Sequence, residues 1–176
     1  PVSPEQMKEA MKNFSFNEEQ FRKALERMME LMKRIAVEQK LDELIKRTEE
    51  ALKQQQDVKQ QTEQSSKEKL NELAKKEGDV QQQTDKLQQE SKGLEKKMNE
   101  FPDEMPMEQM KDANEKLSQS NPSQKMQQAQ QQMKSGQQSQ SSQSQQQAEQ
   151  SLQQFLSDLK NAQKDMRSKQ MEQVVK

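Results

Sequence analysis

Residues 70–101 read LNELAKKEGDVQQQTDKLQQESKGLEKKMNEF, and their spacing decides the fold. Leu73, Val80, Leu87, Leu94 and Phe101 fall seven residues apart. Leu70, Glu77, Thr84, Ser91 and Met98 fill the companion positions between them. This is the a/d seam of a coiled coil, sustained over about four heptads. As a helix the span would be about 48 Å long. Polar residues at half of the seam lower its stability but can fix register and partner number. Gly78 and Gly93 each cost about 1 kcal/mol if helical. Pro102 predicts the end of the helix, because the residue before a proline avoids the α region.

The composition agrees with a thin helical core. Only 27% of the 176 residues are hydrophobic, well below the usual ~45–50%. Leu, Ile, Val and Phe make up roughly 15%, a share found in disordered chains, but 29 Lys and Arg nearly cancel 30 Asp and Glu, so the high net charge of such chains is missing. Long helices that each bury a narrow stripe suit such a chain better than a globular core. Gln alone supplies about a fifth of the residues, and with Glu, Lys and Met it favours helix because straight side chains lose little rotamer freedom there. β-Branched and aromatic residues are too scarce for strands.

Upstream of the seam, two helix starts are written. Ser3-Pro4-Glu5-Gln6 offers a cap, a first-turn proline and a reaching Gln, with Val2 and Met7 as a hydrophobic staple. This predicts a short helix within 1–14. Asn17-Glu18-Glu19-Gln20 repeats the box with Phe16 and Phe21 as staple. A long helix follows, its stripe Phe21, Leu25, Met28, Met32, Ile35 continuing after a one-residue slip as Leu41, Ile45, Thr48, Leu52. Around Gln54 to Ser66 the stripe fades, so 17–101 is either one long helix or a helical hairpin, with Ser65 or Ser66 free to cap a second arm.

Downstream, a tandem repeat sets two short helices within 104–136. Pro106, Met110, Ala113, Leu117 is matched sixteen residues later by Pro122, Met126, Ala129, Met133. Asn121 is placed to cap the second copy and Gly136 to stop it. Residues 137–147 contain only Gln and Ser and read as a loop, or as a weak extension of the helix that follows. A C-terminal helix over 148–172 carries Ala148, Leu152, Phe155, Leu159, Ala162 and Met166. The expected fold is all-α, an elongated antiparallel helical bundle with coiled-coil seams, in which the stripes near Met28, Leu87 and Phe155 share one core.

The chemical inventory is narrow. With no His and no Cys, imidazole acid–base catalysis, thiolate nucleophiles and nearly all zinc sites are excluded. No serine sits in a nucleophile elbow. The chain is therefore expected not to be an enzyme and to carry no cofactor. The acid pairs Glu18-Glu19, Glu49-Glu50 and Asp103-Glu104 read as solvated faces with lysine partners. Met105, Met107 and Met110 have the close thioether spacing that Cu(I) sites use, although methionine also fills gaps around bends such as those at Pro102 and Pro106. Net charge is −1 and Lys alternates with Glu, so no basic stripe for nucleic acid is present. No apolar run is long enough to span a membrane, and no signal peptide is found. The chain begins at Pro1, not Met, which reads as a processed or excised chain whose anchor or signal would lie upstream.

The run Leu41-Asp42-Glu43-Leu44-Ile45-Lys46-Arg47-Thr48-Glu49-Glu50, its Gln-rich continuation, the tandem Met-Ala-Leu helices ending near Gly136 and the Ala148 to Leu159 helix resemble a bacterial family of large, low-complexity, membrane-anchored helical proteins of unknown function. The resemblance implies the coiled-coil part of an envelope protein, located outside the cytoplasm, with no assigned catalytic residues. The expected role is a non-catalytic structural or protein-interaction module. It would bind a protein partner or self-associate through helix seams, above all Leu73, Val80, Leu87, Leu94 and Phe101. A Met-rich carrier or sensor for a lipid or Cu(I) is the alternative.

Overall fold

The computed structural model describes residues 4–100 and 105–175, in backbone only at 10, 14–16, 170 and 172–175. Five α-helices follow one another: α1 (Pro4–Gln64), α2 (Leu70–Met98), α3 (Met107–Ser120), α4 (Pro122–Lys134) and α5 (Gln138–Val175), with a 3-10 turn at Lys67–Lys69 between the first two. Among the described residues there is no strand, and no helix is long and apolar enough to cross a membrane. The chain divides into two compact units, Pro1–Glu38 and Gln39–Lys176.

In the larger unit, side-chain bonds fix the direction of each helix. Lys76 donates to Gln61 at 3.1 Å and Arg47 pairs with Glu90, so α2 runs antiparallel to α1. Lys59 meets Glu149 at 2.8 Å and Lys160 meets Glu49 at 2.6 Å, which sets α5 antiparallel to α1 as well. Gln88 reaches Ser118 and Gln130 reaches Gln81, so α3 and α4 both run antiparallel to α2. The bundle therefore has four columns, up-down-up-down, and its third column is two helices placed end to end. All-α antiparallel architecture is as the heptads predict.

The division of the third column is local chemistry. Asn121 adopts a left-handed φ of 43°, which L residues other than Asn and Asp rarely visit. It ends α3, and its side-chain oxygen accepts the Gln124 N–H at 3.3 Å to begin α4, with Pro122 in the first turn. Gly136, at φ 73°, closes α4 with its N–H on the Met133 carbonyl at 2.9 Å. Every member of the tandem repeat is buried: Pro106, Met110, Ala113 and Leu117, then Pro122, Met126, Ala129 and Met133.

Several boundaries differ from the sequence reading. From Pro4 onward no break separates the expected short helix from the long one: α1 passes through both, since extending a helix is far cheaper than renucleating one and neither Gly nor Pro intervenes between 5 and 17. The caps and staples built on Val2, Ser3 and Phe16 lie outside the described side chains, as do Phe101, Pro102 and the Asp103-Glu104 pair. Of the two forms open to 17–101, the larger unit adopts the hairpin, with its turn at Ser65-Ser66 between α1 and α2. Gln138 stabilises that turn from α5: its two amide hydrogens are shared among the carbonyls of Thr62 at 2.5 Å, Ser65 at 3.0 Å and Glu63 at 3.2 Å, at and just beyond the end of α1. The buried stripe of α1 in the larger unit is Leu41, Leu44, Thr48, Ala51, Gln55, Val58 and Thr62; Ile45 is buried beside it, while Leu52 is only half-buried. Of the two readings of 137–147, residues 138–147 take the helical one and extend α5, because Ser141 and Gln145 continue the core frame of Ala148 and Leu152 and are buried. The stripe near Met28 is exposed and is not part of the core.

Candidate functional site

The seam singled out in the sequence is used within the chain. Leu73, Val80, Leu87 and Leu94 are buried in the four-column core. Phe101, its last member, lies outside the described residues. As an interaction surface this seam is therefore already occupied by the other helices of the bundle. Of the methionine cluster, Met105 and Met110 are buried and Met107 is half-buried. Among the described residues, no three acidic side chains gather to hold a metal ion.

Two features remain. The first is the apolar face of α1 in the smaller unit. Met7, Met11, Phe21, Leu25, Met28, Met32 and Ile35 keep the 3-4 spacing of a heptad frame, and each is 44–69% exposed. Met29 and Leu31 widen the face and are also exposed. Its polar side is stabilised locally, for example by Lys23 and Glu19 at 2.8 Å, four residues apart. The face has the composition of a helix-pairing surface: Leu, Met, Ile and Phe toward one side and alternating charges on the other.

The second feature is a polar layer inside the larger unit. Glu77 of α2 is wholly buried. Its Oε1 accepts from Gln55 Nε2 of α1 at 3.0 Å, and its Oε2 accepts from Gln145 Nε2 of α5 at 2.8 Å. Gln55 and Gln145 are themselves wholly buried, and the Oε1 atom of each has no hydrogen-bond partner. Burial pushes the Glu77 carboxyl up to about 7, against the two amide hydrogen bonds, which favour its charged form. No opposite charge contributes to that balance.

Heptad spacing places Glu77 at a seam position, but the same spacing gives no sign that Gln55 and Gln145 would converge on it. Their signal lies in register: Gln55 and Gln145 both occupy core positions of polar stretches, where hydropathy shows no stripe. A second buried polar contact joins α2 and α3, where Ser91 Oγ donates to Asn114 Oδ1 and Asn114 Nδ2 to Glu95, each at 2.5 Å. Such layers penalise shifted registers, because any slip would bury a polar group without its partner.

Compared with protein-family models, curated proteins and solved structures, the chain finds no match in any of the three.

Proposed function

We propose that this chain is a non-catalytic helical module that links protein chains by self-association, with the apolar face of α1 as the docking surface and a second copy of the chain as its occupant. The observation that carries this reading is the continuous exposed stripe Phe21, Leu25, Met28, Met32, Ile35. With Met29 and Leu31 it leaves on the order of 700 Å² of apolar side-chain surface in contact with water, near the ~800 Å² per partner of a standard interface and above the ~300–600 Å² of the largest patch on a typical monomer.

The pattern is self-complementary. An antiparallel pairing that sets Leu25 opposite Met28 also sets Phe21 opposite Met32 and brings Ala24 beside Leu31, small against large, twice by symmetry. The flanks carry Arg22 beside Met29, where the arginine stem can cover the thioether and keep its charge in water. A lipid surface fits less well. Between Glu18 and Glu38 five acids offset five bases, so the polar side offers no net attraction to anionic headgroups. On a membrane-anchored parent of the kind the sequence resembles, pairing of this sort would tie neighbouring molecules together.

Light scattering on the purified chain over a range of concentrations tests the reading. The expected result is a mass approaching twice the 20.6 kDa of one chain, returning to one chain in the double variant Leu25→Asp, Met32→Asp with helix content retained. A single-chain mass at all concentrations, or uptake by phospholipid vesicles without pairing, refutes it.

A further inference from the structure

The Glu77 layer does something that packing alone does not require. A glutamine at position 77 would fill the same space and meet the same two amides without carrying a charge, so what the carboxyl adds is the ability to gain and lose a proton. Its surroundings favour the proton. The carboxyl is fully enclosed and is held only by neutral amides, Gln55 from α1 and Gln145 from α5. From α4, Ala129 and Met133 pack with Leu70, Leu73 and Ala74 in the turns of α2 just before Glu77, and Gln130 lies over Gly78, the next residue. Among the described residues, no charged side chain contributes to the balance at this carboxyl. One turn beyond Gln55 and Gln145, Lys59 and Glu149 are paired with each other at 2.8 Å. Lys53 and Asp57 of α1, Lys134 of α4 and Lys76 of α2 are exposed.

The amides supply the complementary half of the site. Each has a buried oxygen without a donor. An amide turned about its last torsion exchanges nitrogen for oxygen in nearly the same shape. A protonated Glu77 can then donate its O–H to Gln55 or Gln145 while accepting from the other amide. The ionised form can only accept, and leaves a full charge enclosed with no counter-charge.

We propose that Glu77, Gln55 and Gln145 form a proton-binding site within the bundle, filled when Glu77 is neutral, so that the bundle is tightest in mild acid and loosens as the carboxyl ionises. The site makes the packing of the larger unit responsive to pH and is independent of whether chains pair through α1.

Carbon-detected NMR titration of the side-chain carboxyls in the full chain reads the site directly, with Glu77→Gln used to assign the Glu77 signal. The expected result is one carboxyl titrating near pH 7, and its loss in the variant. If the variant fails to fold, the single displaced titration in the unmodified chain still decides. Ordinary titration of every carboxyl overturns the assignment. So does a displaced midpoint that falls when MgCl2 or NaCl is added at constant ionic strength, since that would mean a cation shares the three side chains.

Discussion

Replacing Glu77 by Gln should remove most of the pH dependence of stability between pH 5 and 8. The folded carboxyl stands at about 7, against an ordinary 4.5. Between those values the folded chain holds a proton at Glu77 that the unfolded chain has released, so the contribution of this group to stability is greatest below 4.5 and falls as pH rises through 7. At 1.36 kcal/mol per unit the whole effect is about 3 kcal/mol, of which roughly 2–3 kcal/mol falls between pH 5 and 8. That is a large share of the ~5–15 kcal/mol by which domains are usually stable. The window is also clean, because the chain has no histidine to titrate within it. Urea denaturation followed by circular dichroism at pH 5, 6, 7 and 8, at one protein concentration, measures the effect. The midpoint of the unmodified chain should fall steadily with pH and that of Glu77→Gln should stay nearly level, leaving the variant the more stable of the two at pH 8. Parallel curves for the two proteins would mean that Glu77 is not the group responsible, and the reasoning would be wrong.

Three further outcomes are expected. Asn121→Ala loses both a helix cap and a residue that tolerates φ 43°, and should cost about 2 kcal/mol in thermal or urea unfolding, whereas Asn121→Gly should cost only a few tenths. The helical Gly93 has open space where a side-chain methyl would project, while Gly136 stands at φ 73°, so Gly93→Ala should stabilise by about 0.5–1 kcal/mol and Gly136→Ala should destabilise by about 1 kcal/mol, a difference in sign that paired melting curves would show. Phe155→Ala, at one of the largest fully buried side chains, should cost about 3–5 kcal/mol by chemical denaturation.

Where leucines mark the heptads, the fold is legible in the sequence. The spacing of Leu73, Val80, Leu87 and Leu94 gives α2, and the sixteen-residue repeat gives α3 and α4 with Asn121 and Gly136 as their boundaries. Where the same frame is written in Ser, Thr and Gln, it is hard to see. Thr62, Ser141 and Gln145 are as buried as any leucine, but hydropathy cannot separate a polar residue that packs from one that faces water. This is why 137–147 reads as a loop and why the two amides around Glu77 escape notice. The N-terminal stripe fails in the opposite direction. Periodicity shows that Phe21, Leu25 and Met28 share a face, but coverage of that face depends on which other helices reach it, and spacing along one helix does not carry that information.

The divided third column bears on how fast the bundle can respond. At 14 and 13 residues, α3 and α4 are each near the length at which an isolated helix is marginal in water. Each therefore owes its structure to its neighbours, and the left-handed turn at Asn121 divides the column into two segments with separate helical hydrogen-bond ladders. α4 lies against the stretch of α2 that holds Glu77, with Gln130 filling the space over Gly78 that a side chain there would need and bonded to Gln81. An enclosed acid can exchange its proton only when water arrives, and the shortest helix beside it offers the least costly opening. Hydrogen exchange at the amides of α4 would then run at the same tempo as proton exchange at Glu77, with α5 and the rest of α2 still closed.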